Sequence, residues 1–294
     1  MNKIITLALT LVGMCALQSC SDENSVIDYE DPTDFFMPSP DATDKISELR
    51  KQFKEEEGSY LLFNDTLQHY YKGTDINGDK QYFTELLDVK YSVGGVKYTS
   101  DKYTYTYLNE DMCEKATDYL KKFLLPHFST KLRPFSWFLC RTISGKDTNG
   151  NIIRPYTVTG ERTIVLACGQ LSSLNTDAKK RQFASRHLLT VIGNLASNNA
   201  SAFSDFTEIC SKYYKTSLDN PTNVSANDYV RSYGFANSTQ ITTFPSQEDD
   251  ISSFASMVIT YTDEQIERVY AKYPLVIQRA KLFKADLISL GYSF

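Results

Sequence analysis

Histidine is scarce in this chain. The 294 residues hold three, His69, His127 and His187. No H-E-x-x-H run and no G-x-S-x-G run occurs, so neither a zinc-peptidase helix nor a serine-hydrolase elbow is spelled out. Tryptophan is nearly absent, with Trp137 alone. Beyond the first twenty residues the cysteines are Cys113, Cys140, Cys168 and Cys210, and none forms a C-x-x-C pair. That spacing argues against a structural zinc site. Each sits among apolar or helical neighbours, where a free thiol reads as a small core residue, and a domain of this size needs no disulfide. The net charge is −5 and no basic stripe appears, which leaves nucleic-acid binding without electrostatic support. After the N-terminus no apolar run reaches membrane length, and no internal repeat is found.

What is there begins at the N-terminus. Lys3 supplies a positive start, and residues 4–16 form an apolar stretch shorter than the roughly 20 residues a spanning helix needs. Leu17-Gln18-Ser19-Cys20 resembles the bacterial lipobox. That resemblance implies a signal peptide over 1–19, cleavage before Cys20 and diacylation of its sulfur, enough acyl chain for stable anchoring. Ser21-Asp22-Glu23-Asn24 resembles the surface-export signal of Bacteroidetes lipoproteins. Residues 20–43, rich in Asp, Glu, Ser and Pro, read as anchor and flexible stalk. The expected address is the outer membrane, exposed at the cell surface.

Residues 44–294 read as a single α+β domain, with a small mixed or antiparallel sheet early and in the middle and helices dominating the C-terminal half. Tyrosine and phenylalanine are abundant, 20 and 17, and are assigned to strands and core. A helix is predicted over 43–57, capped by Thr43 or Asp44 and ended by Gly58. A buried strand follows at 60–63, then a polar loop holding Asp75-Ile-Asn77-Gly78-Asp79. The Asp75, Asn77 and Asp79 spacing imitates a calcium loop. Lys80 stands where such a loop needs glycine and Leu86 where it needs a glutamate, so an Asn-Gly turn is the better reading. Strand-rich runs are predicted at 81–99 and 103–108, an amphipathic helix at 110–125 stopped by Pro126, and strands at 134–143 and 162–168 with a hairpin turn at Asn149-Gly150. Helices are predicted at 177–196 and 202–216, a polar loop at 217–247, and a helical region at 248–292 broken or kinked at Pro274.

Several phrases resemble the Bacteroidetes zinc-binding metallopeptidase lipoprotein family, which is zincin-like. Residues 60–67, Tyr-Leu-Leu-Phe-Asn-Asp-Thr-Leu, resemble its early strand and turn. Arg162-Thr-Ile-Val-Leu-Ala-Cys168 resembles its active-site edge strand, and the helix carrying His187-Leu-Leu follows. Residues 249–257 and 280–287 resemble its later helices. The resemblance spans roughly 44–294. In that family two histidines four apart on one helix grip zinc, a glutamate beside the first activates water, and a later glutamate is the third ligand. Laid on this chain, Phe183 stands at the first histidine, Ala184 at the base, His187 at the second histidine and Ser253 at the third ligand. Phenylalanine cannot bind zinc and alanine cannot take a proton. Shifting the later helix offers Glu248, Asp249 or Asp250, but restores neither the first histidine nor the base.

The expectation is therefore a degenerate member with no catalytic residues and no cofactor, His187 being at most a vestigial metal ligand. Its role would be to bind a peptide or glycan on the cell surface, or to assist outer-membrane nutrient uptake, the setting that the resemblance implies. The alternatives are an active zinc metallopeptidase with a rearranged site and a structural or adhesive lipoprotein.

Overall fold

The computed structural model describes residues 34–87, 103–147, 149–219, 222–240 and 242–294. The signal, Cys20 and most of the predicted stalk lie outside the described residues, as does most of the predicted strand-rich run up to residue 99. Phe36–Phe294 forms one compact unit. Part of what reads as stalk is tied to it. Arg50 donates to the Phe36 carbonyl and Lys51 to the Pro40 and Ala42 carbonyls, and the Phe36 ring packs on Tyr60 and Phe135.

Helix α1, Lys45–Glu57, starts where the Asp44 carboxylate accepts from Ser47 N at 2.9 Å, and it ends at Gly58, φ +75°. Strand β1 is Tyr60–Leu62. Next comes a hairpin of β2, Thr66–Thr74, and β3, Lys80–Leu86. The polar loop expected after residue 63 is therefore mostly strand. Its run Gln68-His69-Tyr70-Tyr71 pairs across to Glu85, Thr84, Phe83 and Tyr82 rather than staying open. The turn itself is as expected: Asp75 Oδ1 accepts from Asn77 N and Asp79 N, each at 2.9 Å, and Gly78 takes φ +86°. Strand β4, Tyr103–Thr106, and helix α2, Glu110–Phe123, follow, α2 capped by Asn109.

The middle of the chain supplies β5, Ser136–Cys140; β6, Thr142–Lys146; β7, Ile152–Ile153; β8, Thr157–Thr159; and β9, Thr163–Ala167. Gly150, φ +83°, turns the β6–β7 hairpin. The main sheet has the order β1-β5-β9-β8, with β1, β5 and β9 parallel and β8 antiparallel at the edge. The segment read as the edge strand, 162–168, is thus internal. The edge is β8, a three-residue Thr-Val-Thr run behind Pro155, too short to show a period.

All five residues of β5 and all five of β9 are buried, as parallel strands covered on both faces should be. Their side chains alternate between two cores. Trp137, Leu139, Ile164 and Leu166 join the helical core. Phe138, Cys140, Val165 and Ala167 face a second core with Leu62, Leu67, Leu87 and Ile143. Among the described residues the cysteines are Cys113, Cys140, Cys168 and Cys210, all buried and free.

The later helices are α3, Asp177–Asn198; α4, Ser204–Glu208; α5, Ala226–Ser232; α6, Gln247–Thr260; α7, Asp263–Val269; and α8, Pro274–Leu290. The helix expected over 202–216 is broken into α4 and two short 3-10 turns. The loop expected over 217–247 contains α5. Pro274 opens α8 at its first turn, where a missing N–H costs nothing. The α+β class is as expected. Among the described residues no helix is long and apolar enough to cross a membrane.

Candidate functional site

Helix α3 is set by Thr176, whose hydroxyl accepts from Lys179 N, and by an apolar face that recurs at helical spacing. Phe183, Ala184, His187, Leu188, Val191 and Ile192 are all buried on that face. Phe183 and Ala184, which the resemblance lays at the first-histidine and base positions, are core residues.

His187 is fully buried. Its Nδ1 lies 2.8 Å from Thr157 Oγ1 on β8. Three rings pack edge-on around it, Phe183 at 4.7 Å, Tyr119 at 5.9 Å and Tyr156 at 6.4 Å. Nε2 has no hydrogen-bond partner. Burial pushes the imidazole down to about 3; the Tyr156 backbone opposes this and Arg186 adds to it. The ring is therefore neutral at any working pH.

The other expected positions do not converge on it. Ser253 is half-buried on α6. Glu248 is exposed. Asp249 closes a capping box with Ser246 at the start of α6. Asp250 is buried and bound by Arg279, which donates to both its oxygens at 3.2 and 2.6 Å, while Tyr214 donates at 2.9 Å. Burial raises this carboxyl, and the Arg279 charge and both sets of hydrogen bonds oppose the shift. Arg279 also donates to the Phe206 and Gly234 carbonyls and lies over the Phe206 ring. Asp250 thus holds α6 to α8. His69 stacks on Tyr82 and bonds Thr84, and His127 bonds the Ser293 carbonyl. Among the described residues no group of three His, Cys, Asp or Glu side chains is placed to hold a metal ion. The donor set around His187 does not fit the zinc that the resemblance implies, because aromatic rings stand where further ligands would have to be.

No protein family matches this chain, and neither a curated protein nor a solved structure does. The reading of the site rests on its own geometry.

Two depressions lie near α3. One, of about 650 Å³, is lined by Ala184 and Leu188 of α3, Val258 and Tyr261 at the end of α6, and Lys284 and Phe294. The second, of about 330 Å³, lies at the carboxyl ends of β5 and β9 and is lined by Arg141, Thr142, Arg154, Tyr156, Ala167 and Gln170. A third, of about 400 Å³, shares Arg141 and Gly169 with the second and adds Tyr107, Asn109 and Ser172. Carboxyl ends of parallel strands are where open sheets leave room for ligands. The sequence reading did not single out Arg141, Arg154 or Tyr156. The available signal was positional: Arg141 directly follows the apolar run Trp137–Cys140.

Proposed function

We propose that this chain is a surface-exposed outer-membrane lipoprotein, anchored through lipid on Cys20, whose zincin-like α+β domain serves a non-catalytic binding or accessory role in nutrient acquisition. The observation that carries the non-catalytic part is the environment of His187. Its Nδ1 is engaged by Thr157 and its faces and edges by Phe183, Tyr119 and Tyr156. Among the described residues His187 Nε2 has no hydrogen-bond partner, but a metal ion needs further ligands beside it. Here the neighbouring motif positions are a phenyl ring and a methyl group, both in the core.

The depressions at Ala184 and at the carboxyl ends of β5 and β9 favour a ligand-holding role over a purely adhesive one. The lipobox-like run at 17–20 supports the address.

The test is cleavage of a peptide library by the purified full chain, with zinc added and with a chelator added. The expected result is no metal-dependent cleavage. Cleavage that appears with zinc and disappears with chelator would overturn the reading and restore peptidase activity.

A further inference from the structure

The crevice at the carboxyl ends of β5 and β9 has an unbalanced chemistry. Arg141 and Arg154 both line it. A third guanidinium, Arg186, lies over the Tyr156 ring at 5.2 Å and donates to the Tyr156 hydroxyl at 3.1 Å. All three arginines are exposed. Four other arginines of this fold find carboxylates: Arg133 pairs with Glu57, Arg162 with Glu85, Arg231 with Asp228 and Arg279 with Asp250, while Arg50 donates to backbone carbonyls and Arg181 lies over the Phe123 ring. Among the described residues none of Arg141, Arg154 and Arg186 has such a pair, and no carboxylate lines the crevice. A chain of net charge −5 thus leaves three adjacent cations uncompensated at one place.

The Tyr156 hydroxyl sharpens the point. It accepts from Arg186 and also from Gln170 Nε2, at 3.2 Å. Two donors occupy its lone pairs, so its own proton is left to give. The charged groups that line the crevice are donors, two guanidinium forks, and the phenolic O–H adds a third; Thr142 and Gln170 add groups that can also accept. The ligand that satisfies such a set is an acceptor with negative charge, an oxyanion such as a carboxylate or sulfate. Because Arg141 belongs to both the 330 Å³ crevice and the adjoining 400 Å³ depression, a longer ligand passes over it from one to the other. The second depression adds amide and hydroxyl groups, Asn109 and Ser172, the half-exposed ring of Tyr107, and one charge of each sign, Asp111 and Lys115. Amides and hydroxyls that both donate and accept, set beside an aromatic ring, suit a sugar ring with its hydroxyls and apolar face better than an acidic peptide.

We propose that this double crevice binds an acidic oligosaccharide, with Arg141 and Arg154 holding its carboxylate or sulfate groups and Tyr156 donating to the same oxyanion. Arg186 is a positioning residue that fixes the Tyr156 hydroxyl. The proposal rests on the reading of this chain as a binding protein and names the ligand class.

The experiment is calorimetric titration of the purified full chain in detergent with four probes of equal length: oligogalacturonate, a heparin-derived oligosaccharide, neutral dextrin and oligoglutamate. At least one acidic sugar is expected to bind tenfold or more tighter than dextrin and to weaken as salt is raised. The Arg141→Ala/Arg154→Ala pair should weaken it by roughly a hundredfold, about tenfold for each charged contact, with the melting temperature unchanged because both side chains are exposed. Tyr156→Phe should weaken it several-fold. Oligogalacturonate carries carboxylates alone and the heparin fragment both carboxylates and sulfates, so binding of oligogalacturonate shows that a carboxylate suffices and binding of the heparin fragment alone that sulfate is needed. Equal binding of dextrin, or acidic-sugar binding indifferent to the arginine pair, would overturn the proposal. Oligoglutamate binding as tightly through the same arginines would overturn the sugar assignment. A preparation that binds none of the four yet cleaves no peptide refutes only this crevice. Metal-dependent cleavage refutes the non-catalytic reading instead.

Discussion

Replacing His187 with glutamine removes an imidazole that folding carries from water into an apolar site. In the unfolded chain the ring titrates near 6.5; in the folded protein burial holds it at about 3. Below about pH 6.5 the unfolded chain gains a proton that the folded chain refuses, so stability falls as the pH falls, down to the folded value. Between pH 7.5 and pH 5 that difference integrates to about 2 kcal/mol, and to about 0.8 kcal/mol at pH 6. For a domain of this size 2 kcal/mol corresponds to roughly 4–8 °C in melting temperature. His187→Gln lowers stability at neutral pH, since Thr157 and the surrounding rings lose a fitted partner. Its loss on acidification should nevertheless be smaller than that of the wild type by this amount. The assay is thermal unfolding of both proteins at pH 7.5, 6 and 5, read as the difference between them, so that the other titrating groups cancel. Parallel curves would show that His187 is protonated as freely in the folded protein as in the unfolded one. The sealed-site argument against metal binding would then fail.

Asp250→Ala leaves Arg279 buried and unpaired, and should cost about 3–5 kcal/mol, a fall of roughly 6–20 °C in melting temperature. The Asp250→Leu/Arg279→Met pair should recover more than half of it. A single substitution tolerated within about 1 kcal/mol would show that water reaches the pair. Gly291→Ala puts a Cβ 2.2 Å from Ser129 Oγ at φ +103°. A destabilisation of at least about 1–2 kcal/mol should follow in urea unfolding, from the left-handed backbone alone. Cys20→Ala should release the chain from the membrane fraction; a variant that still sediments with membranes would refute lipid anchoring at that cysteine.

The elements that the sequence specified well are those with a dense local signal. Helix α1 lay between Asp44 and Gly58, α2 carried its apolar face at helical spacing up to Phe123, and β5 and β9 were continuous apolar runs. Turns at Gly78 and Gly150 were fixed by residues that tolerate positive φ. Where the signal was short or ambiguous the reading slipped: β8 is three residues long, β2 is an exposed strand of mixed polarity, and α4 is one turn.

By itself the sequence determined that Phe183 and Ala184 cannot ligate a metal or take a proton in any fold, whatever pattern the helix is compared with. It also determined the α+β class, because periodicity is a local property. What His187 does was decided only in three dimensions. Its state depends on Thr157 from the sheet edge and Tyr119 from α2, residues 30 and 68 positions away that no local pattern connects to it. The same holds for the arginine crevice. Arg141, Arg154 and Tyr156 are unremarked in sequence, and they meet because β9 pairs parallel with β5 and antiparallel with β8, which brings the end of β5 and the start of β8 to one side. Strand pairing and burial are long-range, and the electrostatics of a site follow from them.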